Sequence, residues 1–351
     1  MSEMTRNTKA GLAVAAASDI DEITGHRRMR RSRGSDWSRR LVRETRLTVD
    51  DLIWPIFIIP GTNIVDPIDA MPGVNRMSVD KAVEAAKMAA DLGIPALATF
   101  PNVEMENRDQ TGSYALHPDN LINVTTRAIK KAVPNIGIIT DVALDPFTDH
   151  GHDGILRDGE IVNDETVRQI AAAAVHQADA GADIISPSDM MDGRIGAIRR
   201  ALDAAGHQSV SIMSYATKFA SACYGPYREA IGTSGLLKGD KRTYYLDPAN
   251  TTEALRDASL DVEEGADMLM VKPGLVYLDI CRALKDNFGL PTFAYQVSGE
   301  YSMIKAGHAA GYIDGERVMM EKLLAFKRAG CDGVLTYFAP EAARLMAKGG
   351  S

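Results

Sequence analysis

Eight apolar runs with the length and composition of buried strands recur along this chain from about residue 51. They lie at 52–59, 96–100, 136–141, 183–187, 210–215, 268–272, 292–297 and 333–337. Between them are stretches with apolar residues three and four positions apart, as in amphipathic helices, such as 79–91, 166–180, 195–205, 252–264 and 317–329. Because strand and helix alternate throughout, the chain is predicted to adopt an α/β fold.

The number of strand–helix units favours a closed barrel over an open sheet. Several strands follow the same signal, in which glycine ends a helix and a short turn leads into the strand: Gly181-Ala182-Asp183, Gly265-Ala266-Asp267 and Gly330-Cys331-Asp332. No G-x-G-x-x-G motif follows the first strand, as it would in a dinucleotide-binding sheet. Eight units of about 35 residues predict a (β/α)8 TIM barrel. We expect it to be the catalytic domain at 46–351, after an extended N-terminal arm at 1–45.

Charge and cysteine content exclude several classes of function. A net charge of −8 argues against a nucleic-acid partner, although a basic segment at 26–33 precedes the barrel. That segment either docks on an acidic neighbouring subunit or is a solvated run of charge. The three cysteines are far apart and odd in number, and support neither a disulfide framework nor a cysteine-based zinc site. No apolar stretch is long enough to cross a membrane and no signal-peptide pattern is present, so we expect a soluble, cytoplasmic protein.

The apolar run at 268–272 ends abruptly in Lys272, which is followed by Pro273 and Gly274. A lysine at the end of a buried strand loses hydration, and this lowers its pKa by up to about 3 to 5 units. The neutral amine that results can attack a carbonyl group. The alternative is a lysine that reaches the surface or pairs with a carboxylate.

Other polar residues also stand at or just beyond predicted strand ends. They are Asp141, Ser186, Asp189, Lys218, Lys272, Ser298 and Tyr337. Each one alone could be a helix cap or a satisfied core residue. In a TIM barrel, however, the carboxyl ends of the strands carry the active site, so these residues are expected to converge on one mouth.

Lys218 and Lys272 follow consecutive strands and are therefore predicted to be neighbours in the mouth. Two ammonium groups that close lower each other's pKa, which favours Schiff-base formation with a ketone. Asp141 and Asp189 could transfer protons, and Ser298 and Tyr337 could donate to a carboxylate. The pattern points to a keto acid substrate. A Schiff-base aldolase, which needs a single lysine, and a non-catalytic barrel remain as alternatives.

A segment at about 222–250 is too long for an ordinary strand–helix loop and is predicted to be an active-site lid. Arg228, Lys241 and Arg242 could each bind a carboxylate as the lid closes. For Lys241 and Arg242 a solvated loop tip is equally compatible with the sequence.

Before the lid, the segment 141–154 concentrates histidines and carboxylates, which is compatible with a divalent metal site or with turn-forming aspartates.

Six segments make the chain resemble the porphobilinogen synthase family, also called delta-aminolevulinic acid dehydratase, over nearly its whole length from about Arg27. They are SPSDMMDGR at 186–194, KFAS at 218–221, YGP at 224–226, MVKPG at 270–274, YQVSGEY at 295–301 and LTYF at 335–338. The resemblance implies condensation of two 5-aminolevulinate molecules to porphobilinogen with loss of two waters, in tetrapyrrole biosynthesis.

The resemblance also assigns roles to individual residues. Lys272 matches the lysine that binds the substrate giving the propionate side, and Lys218 the lysine for the acetate side. Ser298 and Tyr337 match the residues that hold the first carboxylate. Arg228 and Lys241 match the residues that hold the second carboxylate. Asp141 and Asp189 match active-site aspartates of the family. Members often carry glutamine where this chain has Tyr245.

Metal and assembly expectations follow from the same resemblance. Zinc-dependent members carry three cysteines at the positions of Ala143, Asp145 and Asp153, so no zinc is expected here. Oxygen ligands favour magnesium or a monovalent cation instead. An allosteric magnesium of many members lies near a glutamate that is Asp257 here. Candidate metal ligands are thus Asp145, Asp153 and Asp257, although no metal is predicted to be essential. The resemblance also implies a homo-oligomer, either an octamer or a hexamer.

Overall fold

The computed structural model describes residues 28–237 and 239–349. The chain divides into two compact units, Met1–Arg46 and Leu47–Ser351. In the first unit, the described residues form a short 3-10 helix, Met29–Arg33, and helix α1, Asp36–Leu41. Residues 1–27 of the predicted arm, including His26 and Arg27 of the basic segment, lie outside the described residues.

Eight parallel strands form the centre of the second unit. They are β1 (Leu52–Ile58), β2 (Ala96–Pro101), β3 (Gly137–Val142), β4 (Ile184–Pro187), β5 (Ser211–Lys218), β6 (Met268–Lys272), β7 (Thr292–Gln296) and β8 (Gly333–Thr336). Each strand pairs with the next, and β8 pairs with β1 through Leu52 and Val334, which closes the sheet. The predicted (β/α)8 TIM barrel is confirmed, with all eight predicted strands in place.

Helices surround this barrel on the outside. They are α2 (Val79–Asp91), α3 (Leu121–Ala132), α4 (Asn163–Asp179), α5 (Arg194–Ala204), α6 (Gly225–Ala230), α7 (Thr251–Glu263), α8 (Leu278–Phe288), α9 (Ser298–Ala309), α10 (Gly315–Arg328) and α11 (Ala339–Ala347). The five helices named from apolar spacing are present with ends shifted by a few residues at most. Two short hairpins, Val65–Pro67 with Asn75–Met77 and Ile155–Arg157 with Glu160–Val162, are additions that the sequence did not reveal.

Strand β5 is longer than predicted, because it continues beyond Tyr215 to Lys218. Its pairing with β6 contains a β-bulge: Leu269 pairs with Ser214, but Val271 pairs with Thr217. A bulge inserts one extra residue into one strand and shifts the register of everything beyond it. As a result Lys218 and Lys272 are register partners at the ends of their strands.

The repeated glycine–x–aspartate turns have a common structural role. Each aspartate accepts a hydrogen bond from a backbone N–H near the start of the preceding strand: Asp183 from Ile138 at 2.8 Å, Asp267 from Ile212 at 2.7 Å and Asp332 from Thr292 at 2.7 Å. The glycines Gly181, Gly265 and Gly330 have φ of 102°, 106° and 102°, values that favour glycine. The repeat in the sequence thus joins consecutive strands at the amino-terminal end of the barrel.

We expect Asp267→Ala to lower the free energy of unfolding by about 1 kcal/mol, because the Ile212 N–H loses its side-chain acceptor. Urea unfolding followed by circular dichroism measures the change. Glu263→Ala, at an exposed position of α7, is the matched control and should be neutral. Equal unfolding midpoints for the two variants would contradict the role given to this turn.

Candidate active site

The two register-paired lysines lie buried at the carboxyl end of the barrel, where the sequence predicted the mouth. Lys218 is 3% exposed and Lys272 is 4% exposed. Lys272 has no hydrogen-bond partner for its ammonium among the described residues, and four tyrosine rings surround it. Burial and the nearby Lys218 lower the pKa of Lys272 to about 7. Both effects favour the neutral amine at Lys272 over the ammonium form that an exposed lysine carries.

Lys218 has very different surroundings. Its ammonium donates to Asp153 Oδ1 at 3.0 Å and to the carbonyl oxygen of Ser188. The ring of Tyr245 lies over the same ammonium, with 4.3 Å from Nζ to the ring centre. The two neighbouring lysines therefore differ in charge environment, since only Lys218 has a carboxylate partner.

Asp153 links Lys218 to the predicted lid. Its Oδ2 accepts from Lys241 Nζ at 2.5 Å and from the Tyr244 hydroxyl at 3.0 Å, and the Tyr245 hydroxyl donates to Oδ1 at 3.0 Å. Burial alone would raise the pKa of Asp153, but the two ammonium groups hold it below its usual range. The oxygens of this predicted metal ligand therefore already accept hydrogen bonds from two cations and two phenols.

Arg228 lies in α6, at the base of the predicted lid, and two arginines that the sequence did not single out hold the end of that helix. Arg76 donates to the carbonyls of Glu229 and Ala230 at 2.8 and 2.9 Å. Arg108 donates to those of Ile231 and Gly232 at 3.0 and 3.2 Å. Cations at a helix C-terminus satisfy its free carbonyls. No sequence signal reveals them, because both precede α6 by more than a hundred residues.

Ser298 and Tyr337 each contact a tyrosine whose ring lies over Lys272. The Ser298 hydroxyl accepts from the backbone N–H of Tyr227 at 3.0 Å, and the Tyr337 hydroxyl is 2.8 Å from that of Tyr295. Nearby, the buried carboxylate of Glu300 accepts from the backbone N–H groups of Leu275, Val276 and Val297. Glu300 therefore ties the loop after Lys272 to the start of α9, and the sequence did not single it out.

The two predicted proton-transfer aspartates are both buried. Burial raises the pKa of Asp141 to about 6 and that of Asp189 to about 7. Asp141 Oδ1 has no hydrogen-bond partner among the described residues. Asp189 accepts from the Met191 N–H at 2.8 Å, and its other oxygen lies 3.9 Å from Arg194 Nε. The charges of Lys272 and Lys218 act on Asp141 and oppose the rise in its pKa. Asp189 is instead oriented by Arg194 and by the turn that follows it.

The remaining metal candidates are Asp145 and Asp257. Burial and the charge of Asp153 raise the pKa of Asp145, whose Oδ2 is 3.9 Å from Lys241 Nζ. Asp257 lies half-buried on α7, where burial and Asp261 raise its pKa. Across residues 28–237 and 239–349, no group of three or more histidine, cysteine, aspartate or glutamate side chains is placed to hold a metal ion.

A small cavity of about 30 Å³ lies between the two lysines and the predicted lid. That volume holds one or two water molecules. Its lining includes eight charged or aromatic side chains: Asp145, Lys218, Tyr224, Tyr227, Arg228, Lys241, Tyr245 and Lys272. The structure therefore brings both lysines together with Arg228 and Lys241, while Asp141, Asp189, Ser298, Tyr337 and Asp257 lie outside the cavity lining.

A buried lysine with a lowered pKa at the carboxyl end of a closed (β/α)8 barrel is placed as in barrel enzymes that use a lysine amine as nucleophile, and this barrel has a second lysine beside it. Comparisons with known proteins identify the family. The family model described as delta-aminolevulinic acid dehydratase matches residues 26–345. The chain therefore belongs to the delta-aminolevulinic acid dehydratase family, as the sequence motifs predicted.

Curated relatives of the same name cover most of the chain. The delta-aminolevulinic acid dehydratase of Bradyrhizobium diazoefficiens is 60% identical over 319 residues, covering 91% of this chain and 90% of the relative. That of Rhodobacter capsulatus is 54% identical over 325 residues, covering 91% and 96%. The crystal structure of the Toxoplasma gondii enzyme, in complex with the reaction product porphobilinogen, superposes with a TM-score of 0.91 at 43% identity and covers 93% of each chain.

We expect Lys218→Met to raise the pKa of Lys272 above about 7, because the variant removes the neighbouring positive charge and leaves the site buried. The pH dependence of acylation of Lys272, followed by mass spectrometry of its peptide, measures the shift. Lys305→Met, which removes a lysine that pairs with Glu341 at 2.7 Å, is the control and should leave the midpoint unchanged. An unchanged or lower midpoint in Lys218→Met would contradict the electrostatic coupling.

Proposed function

We propose that the chain is a porphobilinogen synthase, which condenses two 5-aminolevulinate molecules to porphobilinogen with loss of two waters. The observation that carries the proposal is the register pairing of Lys218 and Lys272. Two amines in one mouth allow two copies of one keto acid to bind in different roles. A Schiff-base aldolase needs only one lysine, so that alternative does not explain why Lys218 is buried and ion-paired beside Lys272. The family and the product-bound relative give independent support.

The different surroundings of the lysines suit different roles. Lys272, with its pKa near 7, is the amine that is ready to attack the ketone of the substrate giving the propionate side. Attack on the carbonyl carbon and loss of water convert the amine into an imine. Lys218 binds the second substrate, on the acetate side, once its proton has passed to a base. Asp153, which accepts from Lys218 at 3.0 Å, keeps that ammonium oriented beforehand.

Substrate carboxylates would be held by groups on two sides of the lysines. Ser298 and Tyr337 are uncharged donors for the first carboxylate, and Arg228 and Lys241 are cationic donors for the second. Lys241 is paired with Asp153, so it must exchange this partner for the substrate. The cavity of about 30 Å³ is too small for either substrate, so residues around 222–250 must move as a lid.

Asp141 and Asp189 are proposed to transfer protons. The pKa values of about 6 and about 7 lie close to neutral pH, where a carboxyl group can both donate and accept a proton efficiently. Asp141 is the better placed of the two, because its charge acts directly on both lysines. Asp189 acts from the turn held by Arg194.

We infer that the enzyme is of the type that lacks the zinc-binding cysteines. Ala143, Asp145 and Asp153 supply no thiolate, and both oxygens of Asp153 already accept from ammonium and phenol groups. This donor set does not fit a tetrahedral zinc site. The free Oδ1 atoms of Asp141 and Asp145 are hard donors, which would suit magnesium or a monovalent cation. Asp257 would be the acidic residue of any allosteric magnesium site.

Assembly into a homo-oligomer, an octamer or a hexamer, is proposed together with a cytoplasmic location. The arm at 1–45 would make the subunit contacts, since Met29, Trp37 and Leu41 are 72%, 65% and 76% exposed. Exposed apolar side chains of this size suit an interface. Among the described residues, no helix is both long and apolar enough for a membrane span. The proposal includes neither a membrane nor a nucleic-acid partner.

Sodium borohydride reduction in the presence of 5-aminolevulinate tests the two imines. We expect covalent label on the peptides of both Lys218 and Lys272, because borohydride reduces an imine to a stable secondary amine. Lys218→Met should keep the label on Lys272 and lower kcat by more than about a thousandfold. Lys305→Met is the control and should label normally. Label on neither lysine of the unaltered protein would refute the assignment.

Dialysis against a strong chelator tests the metal proposal. We expect porphobilinogen formation to persist after chelation, and added zinc to bring no gain, because the site supplies no thiolate. The assay is repeated with magnesium and with potassium to detect a hard cation that raises the rate. Complete loss of activity after chelation would contradict the prediction that no metal is essential, and restoration by zinc alone would also contradict the absence of a zinc site.

A further inference from the structure

Four tyrosine rings enclose the Lys272 ammonium. The distances from Nζ to the ring centres are 4.9 Å for Tyr295, 5.0 Å for Tyr215, 5.0 Å for Tyr227 and 5.6 Å for Tyr224. The rings come from β5, from β7 and from the segment that opens the proposed lid. All four distances fall within the range in which a cation is attracted to an aromatic face. We call this set of rings the tyrosine cage.

The cage affects an ammonium and an iminium differently. An ammonium is compact, has three N–H donors and is strongly hydrated, so burial without a hydrogen-bond partner is costly. This is why the pKa of Lys272 falls to about 7 although aromatic faces surround it. A protonated imine spreads its charge over nitrogen and carbon and has a single N–H. The protonated imine loses less hydration on burial than the ammonium does. For the imine, the attraction of the rings is therefore larger than the cost of the lost hydration.

We propose that Tyr215, Tyr224, Tyr227 and Tyr295 are further catalytic residues, whose ring faces stabilise the protonated imine formed at Lys272. The inference rests on the proposed function, because it takes Lys272 as the imine-forming residue. The step consumes one amine, one ketone and one proton and releases one water. The new carbon–nitrogen double bond lies at Nζ, in the space that the rings enclose. Burial and the nearby Lys218 thus keep the free amine neutral, while the rings favour the charged product of its reaction.

The hydrogen bonds of the four hydroxyl groups indicate which tyrosines can lose the hydroxyl without a change in ring position. The Tyr224 hydroxyl donates to the carbonyl of Phe219 at 2.9 Å, and that of Tyr295 lies 2.8 Å from Tyr337. These bonds hold two of the rings in place. The hydroxyl groups of Tyr215 and Tyr227 have no hydrogen bond among the described residues. Tyr215 and Tyr227 can therefore be changed to phenylalanine without loss of a fixed contact, and they are the positions to test.

The test uses levulinate, a keto acid that lacks the amino group of the substrate, so that the reaction stops at the imine. The full-length protein is equilibrated with levulinate over a range of pH and reduced with borohydride, and the label on the Lys272 peptide is quantified. We expect Tyr215→Phe and Tyr227→Phe to stay within about twofold of the unaltered protein. Tyr215→Leu and Tyr227→Leu keep the site apolar but remove a ring, and should weaken imine formation about five- to tenfold.

Two controls keep the outcome interpretable. Phe288→Leu removes a partly buried ring at the end of α8, and should not change labelling. Phenylalanine with increasing fluorine substitution at position 215 preserves shape while weakening the ring quadrupole, and should reduce labelling stepwise. This series also replaces the leucine variants if they fold poorly. A cage that acted only by excluding water would respond to none of the fluorine substitutions.

The outcomes distinguish the cage from the proposed function. Leucine variants and fluorinated rings that label as well as the unaltered protein would overturn the cage and leave the imine at Lys272 intact. An unaltered protein that acquires no label at Lys272 would instead overturn the role of that lysine, and the cage with it. Stepwise loss with fluorine content, at unchanged folding by circular dichroism, is the expected result.

Discussion

The register between β5 and β6 is the constraint on which the candidate site depends. Because Val271 pairs with Thr217 after the bulge, Lys272 lies opposite Lys218 and not opposite Thr217. Register partners in a parallel pair project from the same face of the sheet, and a shift of one residue would send one lysine to the other face. The closed barrel provides a rigid frame for the two strands, but the bulge decides which residues meet.

Once the lysines are neighbours, their different surroundings determine their chemistry. Lys218 keeps a carboxylate partner, Asp153, and remains close to a fixed negative charge. Lys272 is buried without a carboxylate partner and lies near the positive charge of Lys218, and both conditions disfavour its protonated form. Two residues of the same type therefore supply an ion-paired ammonium and a free amine within one mouth. The difference between the two lysines comes from their surroundings in the fold, and the sequence contains no sign of that difference.

Much of the fold could be predicted from the sequence, because long apolar runs and repeated glycine–x–aspartate turns are local signals. The continuation of β5 to Lys218 could not, because it depends on pairing with β6. Asp153 was predicted only as a candidate metal ligand in a segment rich in carboxylates and histidines, and its pairing with Lys218 was not foreseen. Its partners Lys241, Tyr244 and Tyr245 come from the proposed lid, and their approach depends on how that segment folds back. Arg76 and Arg108 were missed for the same reason, since their acceptors are distant backbone carbonyls.

The anchoring of α6 by Arg76 and Arg108 limits how much of the proposed lid can open. At one end, the guanidinium groups hold the carbonyls of residues 229–232. At the other end, Leu246 forms a backbone bridge with Phe219, directly after Lys218. Only the stretch at 233–245 lies between these two fixed ends. Because both ends of this stretch are held in place, bringing those ends together would not add to the free-energy cost of closing the proposed lid.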